Sequence, residues 1–170
     1  MRIAVVGMGK IGLPLAVHYA RGVHTVVGVD VNPRVVDLIN GGEEPFPGEA
    51  HLAEYLPPLA SSGALRATTE YAEAIPGADA VVMVVPLVVD DESRPDFTIM
   101  DAATHSMAEY LTPGTLVSYE TTLPVGTTRG RYTPLIEEVS ALVEGRDFDV
   151  VFSPERVLTG RVFAALARYP

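Results

Sequence analysis

Apolar positions along this chain follow two rhythms, and their alternation lays out the elements. Short β-branched runs at Arg2 to Val6, Thr25 to Val29, Ala80 to Val85, Thr115 to Tyr119 and Asp149 to Phe152 read as strands. Between them apolar residues recur at helical spacing, first at Leu13, Leu15, Ala16, Val17, Tyr19 and Ala20, then at Val35, Val36, Leu38 and Ile39. The same spacing returns at Ile99, Ala103, Met107, Tyr110 and Leu111, and again at Leu135, Ile136, Val139, Leu142 and Val143. Punctuation agrees with this division. Asn32-Pro33 is a capping residue followed by a proline at the first helical position; Gly41-Gly42, Pro113-Gly114 and Gly145 act as stops. Leu65 to Thr68 has the length of an edge strand. Gly41 to Pro58 is rich in proline and acid and reads as a loop with a short helix over Ala50 to Leu56, while Leu87 to Phe97 reads as a polar loop.

The unbroken apolarity of Ala80 to Val85 indicates a strand buried on both faces, which requires a parallel sheet covered by helices on each side. Strands alternating with helices therefore predict an α/β fold, doubly wound, in one domain over residues 1–170. The first strand runs into Gly7-x-Gly9-x-x-Gly12 and then directly into the first helix. In that order Gly7 allows a tight turn, Gly9 admits a diphosphate close to the backbone, and Gly12 lets helix and strand pack closely. The free N–H groups and the aligned dipoles of the helix N-terminus then favour the phosphates. Asp30 ends the second strand, 18 residues past Gly12, where a carboxylate accepts ribose hydroxyls and repels a 2′-phosphate. The expectation is a Rossmann-type domain that takes NAD rather than NADP. Arg34 is the opposing signal. It either reaches the adenosine end of the cofactor or lies solvated on the next helix.

Charge narrows the partners. The 170 residues carry a net charge of −10, with eleven arginines and the single lysine Lys10, which argues against nucleic acid and anionic membrane surfaces. The absence of cysteine excludes a thiolate metal site or a cysteine nucleophile within these residues. No apolar run reaches membrane-spanning length and the N-terminus opens on a core strand, so the cytoplasm is the expected compartment. Asp90, Asp91, Glu92 and Asp96 lack the spacing of a calcium loop, so a solvated turn is expected there and no metal site. His18, His24, His51 and His105 have no neighbours in sequence that would make them bases or ligands.

In an open parallel sheet the ligand lies beyond the carboxyl ends of the strands, which directs attention to three strand ends. Val85 and Pro86 close the fourth apolar run. Thr121 and Thr122 follow the next and are assigned to the site, whereas Thr127 and Thr128 are read as caps of the following helix. The last strand leads into Ser153-Pro154-Glu155-Arg156-Val157-Leu158-Thr159-Gly160. There Glu155 is either a proton-transfer group raised in pKa by a cleft or one half of a surface pair with Arg156, and Arg156 is also suited to gripping a phosphate or carboxylate.

These motifs, in this order, resemble the UDP-glucose/GDP-mannose dehydrogenase family: GMGKIGLPLA with Asp30, VVP with PDFT, TTLPVGTT, and SPERVLTG. SPERV is similar to the branch that oxidises UDP-N-acetyl-hexosamines, UDP-N-acetylmannosamine above all. The resemblance implies a four-electron oxidation of a nucleotide sugar's C6 alcohol to a carboxylate, with two NAD reduced and a cysteine nucleophile and a lysine lying downstream. By the same likeness Thr122 orients the catalytic water and Glu155 serves thioester hydrolysis. Arg156 and Val157 match substrate contacts; Gly7, Gly9, Lys10, Ile11, Gly12, Asp30, Arg34, Val85, Pro86 and Thr121 match the cofactor site. The residues depart from the pattern at Leu87-Val88, where relatives carry Thr-Pro, and at Thr159, where UDP-glucose enzymes carry an acid. The expected whole is a homodimer or larger, of which this chain is the cofactor half, cut before the central helix and the sugar domain. UDP-glucose or GDP-mannose as substrate, a phosphogluconate-type hydroxyacid dehydrogenase, and a non-catalytic NAD-binding module are the alternatives.

Overall fold

The computed structural model describes residues 1–154 and 156–168. The elements run β1 (Arg2–Val6), α1 (Gly12–Arg21), β2 (Thr25–Val29), α2 (Pro33–Asn40), α3 (Leu52–Ser62), β3 (Leu65–Thr68), α4 (Tyr71–Ala74) and β4 (Ala80–Met83). Then follow the hairpin strands β5 (Val88–Val89) and β6 (Pro95–Asp96), α5 (Thr98–Ala108), β7 (Leu116–Tyr119), a π-helical turn (Thr128–Tyr132), α6 (Thr133–Ser140), β8 (Asp149–Phe152) and α7 (Val162–Arg168). Six strands form one sheet in the order β3-β2-β1-β4-β7-β8, all pairs parallel. The order reverses between β1 and β4, and a crevice opens at such a reversal.

Side chains alternate along each strand, so a strand buried on both faces feeds two cores. Ala4, Val6, Val27, Val29, Val81 and Met83 pack with α5 and α6 residues such as Met100, Met107 and Ile136. Ile3, Val5 and Val26 face the other way, onto Leu13, Val17, Ile39, Leu52 and Phe163. In the first core Tyr119 and Tyr132 stack with ring centroids 4.6 Å apart, and the Tyr119 hydroxyl meets Thr104 Oγ1 at 2.9 Å.

Several elements depart from the sequence pattern, each for a local reason. The apolar run at 80–85 stops pairing at Met83. Val84 still donates to the Val6 carbonyl at 2.8 Å, but the Val85 carbonyl is taken by Thr121 Oγ1 at 2.7 Å. The short helix expected over Ala50 to Leu56 is α3, but it runs on through Pro57 and Pro58 to Ser62 where a loop was expected to end. Two intrahelical bonds are lost there, yet burial of Leu52 and Leu56 holds the helix on α1. Leu87 to Phe97 is a hairpin whose acids are used internally: Asp90 accepts from the Arg94 N–H and Nε, both at 2.8 Å, and Glu92 pairs with Arg94. Thr127 and Thr128 make no capping bond; a π-helical turn leads into α6 instead. Pro134 has no N–H for the Gly130 carbonyl and its ring crowds that oxygen, which opens the register. α6 ends at Ser140, short of Gly145, because Ser140 Oγ bonds back to the Ile136 carbonyl at 2.6 Å and accepts the Leu142 N–H at 3.1 Å. α4, of 4 residues, and α7, of 7, are too short to show a helical period in the sequence.

Candidate functional site

At the β1–α1 turn the three glycines have three different physical roles. Gly7 sits at φ +94°, and a Cβ there would lie 2.8 Å from the Val84 carbonyl oxygen. A Cβ on Gly12 would lie 1.8 Å from the Gly7 oxygen, so the helix approaches the turn closer than any side chain permits. Around Gly9 there is no heavy atom within 4 Å of such a Cβ. The turn is therefore rigid at both ends and open in the middle, where a phosphate would rest. Ile11, the residue before α1, provides no side-chain cap and the first turn holds no acid. Its N–H groups and partial positive charge are left for an anion.

Asp30 stands across the β1–β2 boundary from this turn. Its Oδ2 accepts the Met8 N–H at 3.0 Å and its Oδ1 accepts the Asn32 N–H at 2.9 Å, fixing a half-buried carboxylate with lone pairs to spare. Met8 can present that N–H because its fully buried side chain fills the space over Gly28, whose Cβ would lie 2.4 Å from Met8 Sδ. From Asp30 a cleft of 570 Å³ extends past Val31, Tyr71, Val85, Pro86 and Ile99. It is large enough for a nucleoside and walled by apolar groups suited to a flat base. Burial, with Asp30 adding to it, raises the Tyr71 hydroxyl above its ordinary pKa, so it stays protonated beside the carboxylate. An open diphosphate turn, an oriented carboxylate and an apolar slot in series fit a dinucleotide.

The other expected residues are dispersed around this core. Lys10 is exposed and lines a second cavity, of 120 Å³, with Gly9, Phe46, Glu49, Thr159 and Gly160. Arg34 gives its N–H to the Asn32 cap at 3.0 Å and has an exposed side chain outside the residues lining the larger cleft. Thr121 ties the ends of β4 and β7 together through Val85, while Thr122 is exposed. Arg156 is exposed and Val157 half-buried; Glu155 lies outside the described residues. Sequence reasoning overlooked Val31, Tyr71 and Ile99. Val31 and Ile99 are exposed apolar residues beside strand ends, and that position was the available signal.

Comparison with known proteins settles the family. A family model described as the UDP-glucose/GDP-mannose dehydrogenase family, NAD binding domain, matches residues 1–169. This chain belongs to that family. NAD is the cofactor of the matched domain. Among relatives of this dehydrogenase-family domain, UDP-N-acetyl-D-mannosamine dehydrogenase of Pyrococcus horikoshii is 38% identical over 98% of the chain, and that of Escherichia coli K12 is 37% identical over 98%. The chain spans 39% and 40% of those two proteins' lengths. The solved UDP-D-ManNAc dehydrogenase of Pyrococcus horikoshii superposes with a TM-score of 0.90 at 36% identity, covering 98% of this chain and 39% of that one. A ternary complex of GDP-mannose dehydrogenase from Pseudomonas aeruginosa superposes at 0.92 with 27% identity, over 98% and 38%. Among the described residues no helix is long and apolar enough to cross a membrane.

Proposed function

We propose that this domain is the NAD-binding half of a cytoplasmic nucleotide-sugar 6-dehydrogenase whose substrate is UDP-N-acetylmannosamine. The observation that carries the reading is the arrangement at the carboxyl edge of the sheet. The cleft assigned here to NAD opens at β1 and Asp30, and Thr159 and Gly160, at the close of the segment that leaves β8, line a second cavity with Gly9 and Lys10 of the same glycine turn. The names of the most similar relatives support the sugar.

In this reading the chain's own groups divide the work. The backbone of Gly7, Gly9, Ile11 and Gly12 cradles the diphosphate, Lys10 adds charge at its rim, and Asp30 takes the ribose diol. Arg34 borders the adenosine end, and Val85 and Pro86 wall the path toward the nicotinamide, which supplies hydride acceptance. Thr121 braces the β4 and β7 ends, leaving Thr122 free to hold a water through its exposed hydroxyl. Glu155 is assigned the proton that this water gives up in thioester hydrolysis, and Arg156 and Val157 contact the nucleotide sugar. The nucleophile belongs to the rest of the enzyme, since these residues contain no cysteine. The complete enzyme is a homodimer or larger assembly.

The deciding experiment offers the full-length product a panel of UDP- and GDP-sugars with NAD. Two NADH per UDP-N-acetylmannosamine consumed is the expected result. Turnover confined to UDP-glucose or GDP-mannose would reassign the sugar, and none with any nucleotide sugar would reject the reading.

A further inference from the structure

The carboxylate of Glu49 joins two parts of the chain that are more than a hundred residues apart. Its Oε2 accepts the Gly160 N–H and its Oε1 the Val162 N–H, both at 2.7 Å. The Ala50 N–H returns a longer bond to the Gly160 carbonyl at 3.4 Å. Gly160 sits at φ +88°, and a Cβ there would stand 3.3 Å from the Gly48 oxygen, so the two strands of loop lie in direct contact. Behind this junction α7 is locked down. Val162 is fully buried, and Phe163 meets the Tyr55 ring edge-on at 5.3 Å.

The segment between β8 and α7 is thus held at both ends. At its start the Ser153 N–H donates to the Tyr119 carbonyl at 3.0 Å, extending the β7–β8 ladder. At its close stands the Glu49 carboxylate. Arg156, Val157 and Thr159 lie between, and Thr159, Gly160 and Glu49 share the wall of the 120 Å³ cavity with Gly9 and Lys10 of the diphosphate turn. A charged acceptor taking two N–H groups at once is among the stronger contacts available to a loop, because both bonds are charge-assisted.

We propose that Glu49 is a positioning residue for the sugar oxidation: its two-pronged clamp fixes the Arg156–Gly160 segment at the height of the glycine turn. The inference rests on the functional reading given above. Glu49 touches no reacting atom in this scheme. It acts by setting where the residues before Gly160 stand relative to NAD, so its loss separates cofactor binding from turnover.

The test uses Glu49→Gln and Glu49→Ala in the full-length enzyme. Hydrogen exchange at the Gly160 and Val162 amides should accelerate about tenfold or more in the alanine variant and less in the glutamine variant, which keeps one acceptor oxygen. Amides of β1 and β4 should keep their protection. With UDP-N-acetylmannosamine, kcat should fall about tenfold or more for alanine and partly recover for glutamine, while KM for NAD stays within about twofold. Unchanged exchange at both amides overturns the clamp. Accelerated exchange with unchanged kcat overturns its role in the reaction, and a parallel loss of NAD affinity and melting temperature reduces it to a structural brace. If wild type binds NAD but oxidises no nucleotide sugar, the functional reading falls and the positioning role with it, a result distinct from unchanged exchange in an active enzyme.

Discussion

Two methyl groups, placed three residues apart, should have opposite consequences. In Gly9→Ala the new Cβ meets no atom within 4 Å, and the position carries no positive φ, so the folded chain accepts it. Stability should hold within about 0.5 kcal/mol or rise slightly, since alanine also loses less backbone entropy on folding. The methyl nevertheless stands where a phosphate oxygen must approach the turn. Loss of one charge-assisted N–H bond is worth about 1.5–3 kcal/mol, or roughly 10- to 150-fold in Kd for NAD. In Gly12→Ala the Cβ would lie 1.8 Å from the Gly7 oxygen, which belongs to backbone held at φ +94° and cannot yield. That variant should lose more than the ~1–3 kcal/mol typical of overpacking. Calorimetric titration with NAD beside denaturant melts of wild type and both variants separates the two effects. If Gly9→Ala binds NAD within threefold of wild type, or unfolds as readily as Gly12→Ala, the division of labour among the glycines is wrong.

Three further outcomes follow from single groups. Asp30→Ala removes the acceptor of the Met8 and Asn32 N–H groups, at 3.0 and 2.9 Å, and should cost ~1–3 kcal/mol of stability while weakening NAD and narrowing its advantage over NADP; melts and titrations with both cofactors check this. Tyr132 is fully buried and its hydroxyl finds no hydrogen-bond partner among the described residues, so Tyr132→Phe should stabilise by about 1 kcal/mol in urea melts; a destabilised variant would refute the orphaned hydroxyl. Burial pushes the Tyr19 hydroxyl up to about 12, with Glu120 adding to the shift, and burial raises Tyr119 as well. These raised values make the stability complete below the unfolded tyrosine pKa near 10. Above it the unfolded chain ionises first, and stability should fall by up to about 1.4 kcal/mol per pH unit for each tyrosine until the folded value is reached. Melts at pH 8, 10 and 11 that do not differ would count against it.

Local rules sufficed for the first thirty residues. The glycine spacing, the acid after the second strand and the helical rhythm from Leu13 are set by steric limits within a few residues, and the apolar run at Ala80 could only be a strand covered on both faces. The cap at Asn32 was legible for the same reason. What depended on distant partners was not. α3 survives two prolines because Leu52 and Leu56 are buried against α1, α6 stops early through Ser140, and α7 begins where the Glu49 carboxylate accepts its first N–H, that of Val162. The apolar cleft beside Asp30 likewise needed Val31, Tyr71 and Ile99 to be brought together from the end of β2 and the first turns of α4 and α5. Backbone sterics and periodicity act over one or two turns of chain and can be read in one dimension; clamps and clefts form between segments whose proximity is a product of the fold itself.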